Sequence, residues 1–90
     1  MVAVIDVPGE ALAAFGRYED AVLPLLARHG GRLDRRLRSA DGTTEVHVLS
    51  FAEESGYRDY LADPERGGHR SLLTGVETSQ RVLEGLVDAP

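Results

Sequence analysis

The order of hydrophobic patterns along the chain predicts an α+β domain, β-α-β-β-α-β, in which a four-stranded antiparallel sheet carries two helices on one face. Three observations predict it. Thr44 to Phe51 alternates in polarity and passes directly into a helical pattern that ends at Asp63-Pro64. Val2 to Val7, short and rich in β-branched residues, passes likewise into a helical pattern that ends at Gly30-Gly31. Ala40-Asp41-Gly42 marks a hairpin between the second and third strands.

Taken in order, Val2 to Val7 is a buried first strand bounded by Pro8-Gly9. Leu12, Phe15, Tyr18, Val22, Leu25 and Leu26 then recur at helical spacing through about His29. Pro24 lacks a backbone donor and crowds the preceding turn, so this helix bends near Asp20 or restarts there. Gly30-Gly31 ends it by allowing a left-handed residue. Arg32 to Ser39 is a weakly alternating second strand, with Leu33 and Leu37 on one side. In the third strand Val46 and Val48 share one face and His47, Leu49 and Phe51 the other, so both faces need cover. The second helix begins among Ala52 to Ser55 and turns Tyr57, Tyr60 and Leu61 inward; Asp63 then caps a short further turn opened by Pro64. Gly67-Gly68 keeps that turn short. Ser79 to Leu86 is the last strand, and Asp88 to Pro90 a frayed tail.

Ninety residues make one domain, residues 1–90. At that length folding buries about 60 to 65% of the surface of the unfolded chain. A sheet with helices on one side leaves its other face bare, so pairing with a second copy is a natural way to gain burial, and a homodimer is expected. Fifteen acidic against ten basic residues give a net charge of −5, the wrong sign for neutralising many phosphates, so no nucleic-acid partner is expected. Arg32, Arg35, Arg36 and Arg38 cluster on the second strand, where arginines guard sheet edges. The absence of cysteine removes disulfides and thiolate chemistry. No apolar run suits a signal peptide or a membrane span, and the expected location is cytoplasmic, with no membrane partner.

The segment Gly30-Gly31-Arg32-Leu33-Asp34-Arg35 resembles the Gly-Gly-Arg-x-x-Arg junction of an uncharacterised small-domain family in the dimeric α/β-barrel superfamily. Phe51, followed after thirteen positions by Pro64 with Tyr60-Leu61 between, is similar to the strand-end aromatic, helix and Asp-Pro turn of that family and of the related antibiotic biosynthesis monooxygenases. The resemblance implies ferredoxin-like protomers whose sheets pack face to face in a homodimer. It also implies a small-molecule-binding protein or a cofactor-independent enzyme, monooxygenase- or isomerase-like, whose ligand is a small aromatic metabolite. Many of the monooxygenases carry a Glu near the end of the third strand and a His within the second helix; the comparable positions here hold Leu49 and Tyr60.

Among the residues themselves His47 is the first candidate for catalysis, because imidazoles titrate near neutrality and a mid-strand position aims the ring into the helix-covered space or towards a partner. Strand alternation sets Glu45 on the same face, as an orienter for a base or as one half of a rim pair. Tyr18, Tyr57 and Tyr60 lie on the inner stripes of the two helices, where they pack the core or line a substrate pocket. Arg35, grouped with Leu33 and Leu37, is a candidate anion contact in that pocket, or a salt-bridge partner of Glu45 or Glu84. His29, His47 and His69 fall on separate elements without ligand spacing, so no metal is expected; haem lacks a second cue beside His69, and no cofactor is expected. No phosphate-binding loop or nucleophile elbow is present. Set against the enzyme reading is a non-catalytic dimerisation or regulatory module, which a fully packed space between sheet and helices would favour.

Overall fold

The computed structural model describes residues 1–89. Val2–Asp6 forms β1, and a 3₁₀ turn at Gly9–Ala11 leads into α1, Leu12–Val22. Leu23–His29 continues as 3₁₀ helix before β2, Gly31–Arg38, and β3, Thr44–Phe51. Gly56–Leu61 is α2, Pro64–Gly68 is α3, His69–Leu73 is a further 3₁₀ segment, and Ser79–Leu83 is β4. The sheet order is β2-β3-β1-β4, antiparallel throughout, which is the ferredoxin-like βαββαβ arrangement expected.

Local chemistry sets the boundaries. Pro24 has no N–H for the carbonyl of Asp20, and the α-helix gives way to 3₁₀ geometry from Leu23. Gly30, at φ 69°, closes the segment in the left-handed conformation. Gly42, at φ 79°, turns the β2-β3 hairpin. Residues 52–55 form a turn, so α2 starts one residue later than the expected window. Asp63 is extended, at ψ 121°, and its carboxylate accepts from the Glu65 amide at 2.9 Å, capping α3 behind Pro64. The last strand stops at Leu83 rather than Leu86, because Leu83 already pairs with Val2 and β1 extends no further. Of the expected tail, Asp88 and Ala89 carry no regular structure, and Pro90 lies outside the described residues.

The principal extents, 37 × 35 × 16 Å, correspond to two layers. Ala3, Ile5, Glu45, His47 and Leu49 are buried against the helices. One apolar cluster, Ile5, Val7, Ala11 and Phe15, fills one end of this layer, and a second, Leu25, Leu26, Leu49 and Tyr60, fills the other. Leu61, expected inward, is 43% exposed and stands at the rim. The opposite face presents half-buried Val2, Val4, Val46 and Val48, with Leu37 41% and Leu83 37% exposed.

One irregularity repositions the arginines. Leu33 pairs with Leu49 but Arg35 pairs with Val48, so Asp34 is an extra residue, a bulge in β2. Leu33 therefore shares the helix-covered face with Leu49, while Leu37, opposite Val46, lies on the open one. The expectation that Leu33, Arg35 and Leu37 share a face fails for this reason.

Candidate functional site

α1 buries Phe15, Tyr18, Glu19 and Val22, a stripe at helical spacing that carries one carboxylate into an otherwise apolar row. Across from it, the pleat of β3 turns Glu45 and His47 to the same side. Beyond the bulge, β2 sets Arg36 opposite His47 and Arg38 opposite Glu45. Three elements thus bring Glu19, Arg36, Glu45 and His47 together between sheet and helix.

Glu45 is the anchor of this group. Arg36 grips it with two hydrogen bonds, Nε to Oε1 at 2.8 Å and Nη2 to Oε2 at 3.2 Å. Arg38 adds two to Oε2, from Nη2 at 3.0 Å and Nε at 3.2 Å. Burial pushes this carboxyl up, but the hydrogen bonds from Arg36, His47 and Arg38 outweigh it and hold it down at about 2. An ionised Glu45 can only accept, so His47 Nε2, at 2.7 Å from Oε1, carries the hydrogen of that bond. In the neutral imidazole Nδ1 is then the unprotonated nitrogen.

Glu19 is the opposite case. Its nearest charged contact is His47 Nε2, at 3.8 Å from Oε2, too far for a hydrogen bond. Burial, reinforced by the negative charge of Glu45, raises its carboxyl from 4.5 to about 7, against the weaker pull of Arg36 and Arg66. One cluster therefore holds a carboxylate fixed in its ionised form beside one that exchanges its proton near neutral pH.

Of these groups, Glu19 and His47 open on a cavity of about 110 Å³ between the sheet and the helices. Glu19, His47, Tyr18, Tyr57, Tyr60 and Arg66 supply its polar lining, and Ile5, Phe15 and Leu49 belong to its apolar wall. Tyr60 is buried, with its hydroxyl donating to the Val22 carbonyl at 3.3 Å. Burial raises both the Tyr57 and the Tyr60 phenols, so both stay protonated at neutral pH. The three tyrosines and His47 singled out in the sequence all line this space. Arg35 does not: the bulge puts it opposite Val48 on the open face, and Arg36 takes the inward position. Glu19 and Arg66 join the site without having been expected there, and Arg36, expected only as a guard of the sheet edge, is the third. Glu19 was legible in the Phe15-Tyr18-Glu19-Val22 spacing; Arg36 was not, because a single-residue bulge has no signature in this strand.

Glu19, Glu45 and His47 each offer a ligand atom within 4.8 Å of the others, a spacing that could in principle hold a cation. The fit is poor. Both oxygens of Glu45 are occupied by guanidinium donors, and the two arginines bring positive charge to the place a cation would take.

A third buried carboxylate belongs to the scaffold. Asp63 accepts from His29 Nε2 at 2.7 Å and from Arg28 Nη1 at 3.0 Å, tying the end of the 3₁₀ segment to the cap of α3. The His29 hydrogen bond leads the effects that hold Asp63 at about 2.

No protein-family profile matches the sequence, and no curated protein matches it. Solved structures do. SnoaB, a cofactor-independent oxygenase from Streptomyces nogalater, is 22% identical, with a TM-score of 0.65 over 98% of this chain and 94% of its own. This chain has the ferredoxin-like fold of that oxygenase. Rv0793 from Mycobacterium tuberculosis is 23% identical, with a TM-score of 0.63 over 99% and 98% of the two chains. The ActVA-Orf6 monooxygenase of Streptomyces coelicolor, solved with nanaomycin D, is 22% identical, with a TM-score of 0.56 over 99% and 91%. The resemblance carried by Gly30 to Arg35 and by the Phe51-to-Pro64 spacing is met at the level of fold, and fold does not fix the reaction. No helix among the described residues is long and apolar enough to cross a membrane.

Proposed function

We propose that the cavity is the site of a cofactor-independent enzyme that removes a proton from a small aromatic metabolite. The observation that carries this reading is a buried proton-exchanging group, Glu19 beside His47, facing an open cavity rather than a packed core. Glu45, locked by Arg36 and Arg38, holds His47 in one orientation and one tautomer. His47 then acts as the acid–base group through Nδ1, and Glu19, on the Nε2 side of the ring, tunes the charge of the imidazole through its own protonation state. Removal of an acidic O–H or C–H proton yields an oxyanion or carbanion. Reprotonation of that anion elsewhere gives an isomerase, and its oxidation by dioxygen gives an oxygenase, so one proton transfer serves both outcomes. The likeness in fold to a cofactor-independent oxygenase supports the second course.

A non-catalytic dimerisation module is less well supported, because such a role has no use for a cavity lined by His47, Glu19 and three tyrosines. Self-association belongs to the proposal in either case. The open sheet face, with Val2, Val4, Val46 and Val48 half-buried and Leu37 and Leu83 exposed, is the surface a second copy would cover. The test is amide-resolved NMR of the protein against a panel of phenols and hydroxyquinones, followed by oxygen-uptake and proton-exchange assays on any ligand found. Binding whose shifts centre on His47 and Tyr60, with turnover lost in H47A and retained binding, is the expected result. Unchanged turnover in H47A removes His47 from the chemistry.

A further inference from the structure

Resting on the reading of the cavity as a small-molecule site, we infer that its ligand is a single-ring aromatic carboxylate, with Arg66 receiving the carboxylate group. Arg66 lies on α3, a turn held in place by the Asp63 cap, and its guanidinium carbon is 4.8 Å from the Tyr60 ring centroid. Stacked in this way, a guanidinium keeps its edge free for a planar, two-point acceptor. Its Nε is buried and has no hydrogen-bond partner, and no ion pair among the described residues uses Arg66. A buried donor without an acceptor is unfavourable in the protein alone and is relieved by a ligand oxygen. Arg70, one helical turn further on, lines the same cavity. Two arginines thus face this space in a chain whose net charge is −5. Glu19, the acidic group in the lining, feels the charge of Arg66 but forms no ion pair with it, its charged contact within 4 Å being His47.

Volume sets the size of the ligand. The cavity encloses about 110 Å³. A cavity of about 150 Å³ is known to hold benzene, so this smaller, open space takes at most one ring, with the charged group outside it at the mouth beside the arginines. The Tyr60 face and the apolar wall around Leu49 and Phe15 suit such a ring. A fused polycycle does not fit.

The experiment compares benzoate, benzamide and 2-naphthoate by calorimetry and amide-resolved NMR on the unaltered protein, on R66M and on R66K. Benzoate is expected to bind at least about tenfold more tightly than isosteric benzamide, since only benzoate offers two acceptor oxygens and a negative charge to the guanidinium. R66M is expected to abolish that difference by weakening benzoate far more than benzamide, R66K to restore part of it, and 2-naphthoate to bind more weakly than benzoate. Equal affinity for benzoate and benzamide overturns the carboxylate inference and leaves the small-molecule reading standing. Shifts from none of the three near Tyr60 overturn both. Tighter binding of 2-naphthoate overturns the limit to one ring. The benzoate–benzamide comparison needs no variant, so it decides even where R66M does not fold.

Discussion

Replacing Glu19 by glutamine should stabilise the protein above neutral pH and change little below pH 5. The reasoning is linkage between folding and proton binding. The carboxyl titrates near its ordinary 4.5 when the chain is unfolded and at about 7 when folded. Below about pH 4.5 both states hold the proton, and glutamate and glutamine behave alike. Between the two values the unfolded chain releases the proton while the folded chain keeps it. Stability then falls with rising pH, by up to about 1.4 kcal/mol per pH unit. Above about 7 both states are ionised and the deficit is complete, roughly 3 kcal/mol over a displacement of about 2.5 pH units. Water entering the open cavity reduces this, so the gain in E19Q at pH 8 is set at roughly 1 to 3 kcal/mol.

The groups that face Glu19 are Glu45 and His47 on β3, Arg36 on β2, Arg66 on α3 and Asp20 on its own helix. They are present in both proteins, so the difference between wild type and E19Q at each pH isolates Glu19. Urea unfolding curves of the two at half-unit intervals from pH 4.5 to 8.5 provide that difference. It should open between pH 5 and pH 7 and then level off. A pH-independent difference, or an E19Q protein that is no more stable than wild type at pH 8, refutes the claim that burial holds this proton.

Asp63→Asn removes the charged partner of His29 and Arg28 while leaving an oxygen for the cap, and is expected to lower the melting temperature by several degrees at pH 7. Because Asp63 is held at about 2, its contribution is present above the ordinary carboxylate range and fades as pH falls, so melting curves of the two proteins should converge towards pH 2. Gly56→Ala places a Cβ 2.8 Å from the His29 carbonyl oxygen and 2.8 Å from the Phe51 ring, where backbone cannot yield. A loss of about 1–3 kcal/mol in urea unfolding is expected. Gly16→Ala, in α1 with open space around it, is the matched control and should gain about 0.5–1 kcal/mol. Val46→Lys puts a charge among Val4, Leu37 and Val48 on the open sheet face; sedimentation should show a dimer for wild type and a monomer for this variant. A monomeric wild type at micromolar concentration ends the dimer proposal.

The parts of the fold legible in the sequence were those written in strong periodicities and in residues with one conformational use. Gly30, Gly42, Pro24 and the Asp63-Pro64 cap each marked a boundary, because the backbone geometry there suits few other residues. The Glu45-His47 pair was legible because a strand places alternate residues on one face. The register of β2 was not. Its bulge at Asp34 exchanges Arg35 for Arg36 on the helix-covered face, and of the bonds at the bulge, Asp34 accepting from Arg32 at 2.6 Å and from Ser50 at 3.2 Å, the second exists only once β2 and β3 are paired. Arg66 was hidden for a similar reason. Its relation to Tyr60 arises from the angle at which α3 leaves Asp63, and no spacing in the sequence encodes that angle.

The three buried carboxylates among the described residues argue for where the chemistry lies. Asp63 and Glu45 are satisfied by arginine and histidine donors and held ionised at about 2, as expected of groups whose work is to hold elements together. Glu19 is equally buried, yet its closest charged neighbour is beyond hydrogen-bonding distance and its proton is released only at about 7. Replacing a buried charged cluster by apolar residues of similar volume is often neutral or stabilising, so stability alone does not favour a carboxylate in the row of Phe15, Tyr18 and Val22. A ninety-residue domain has little core to give up in this way. Two carboxylates a few ångströms from one imidazole, driven to opposite ends of the titration range by their surroundings, are what acid–base chemistry at neutral pH requires. The cavity that Glu19 and His47 line is where such an arrangement would meet a substrate.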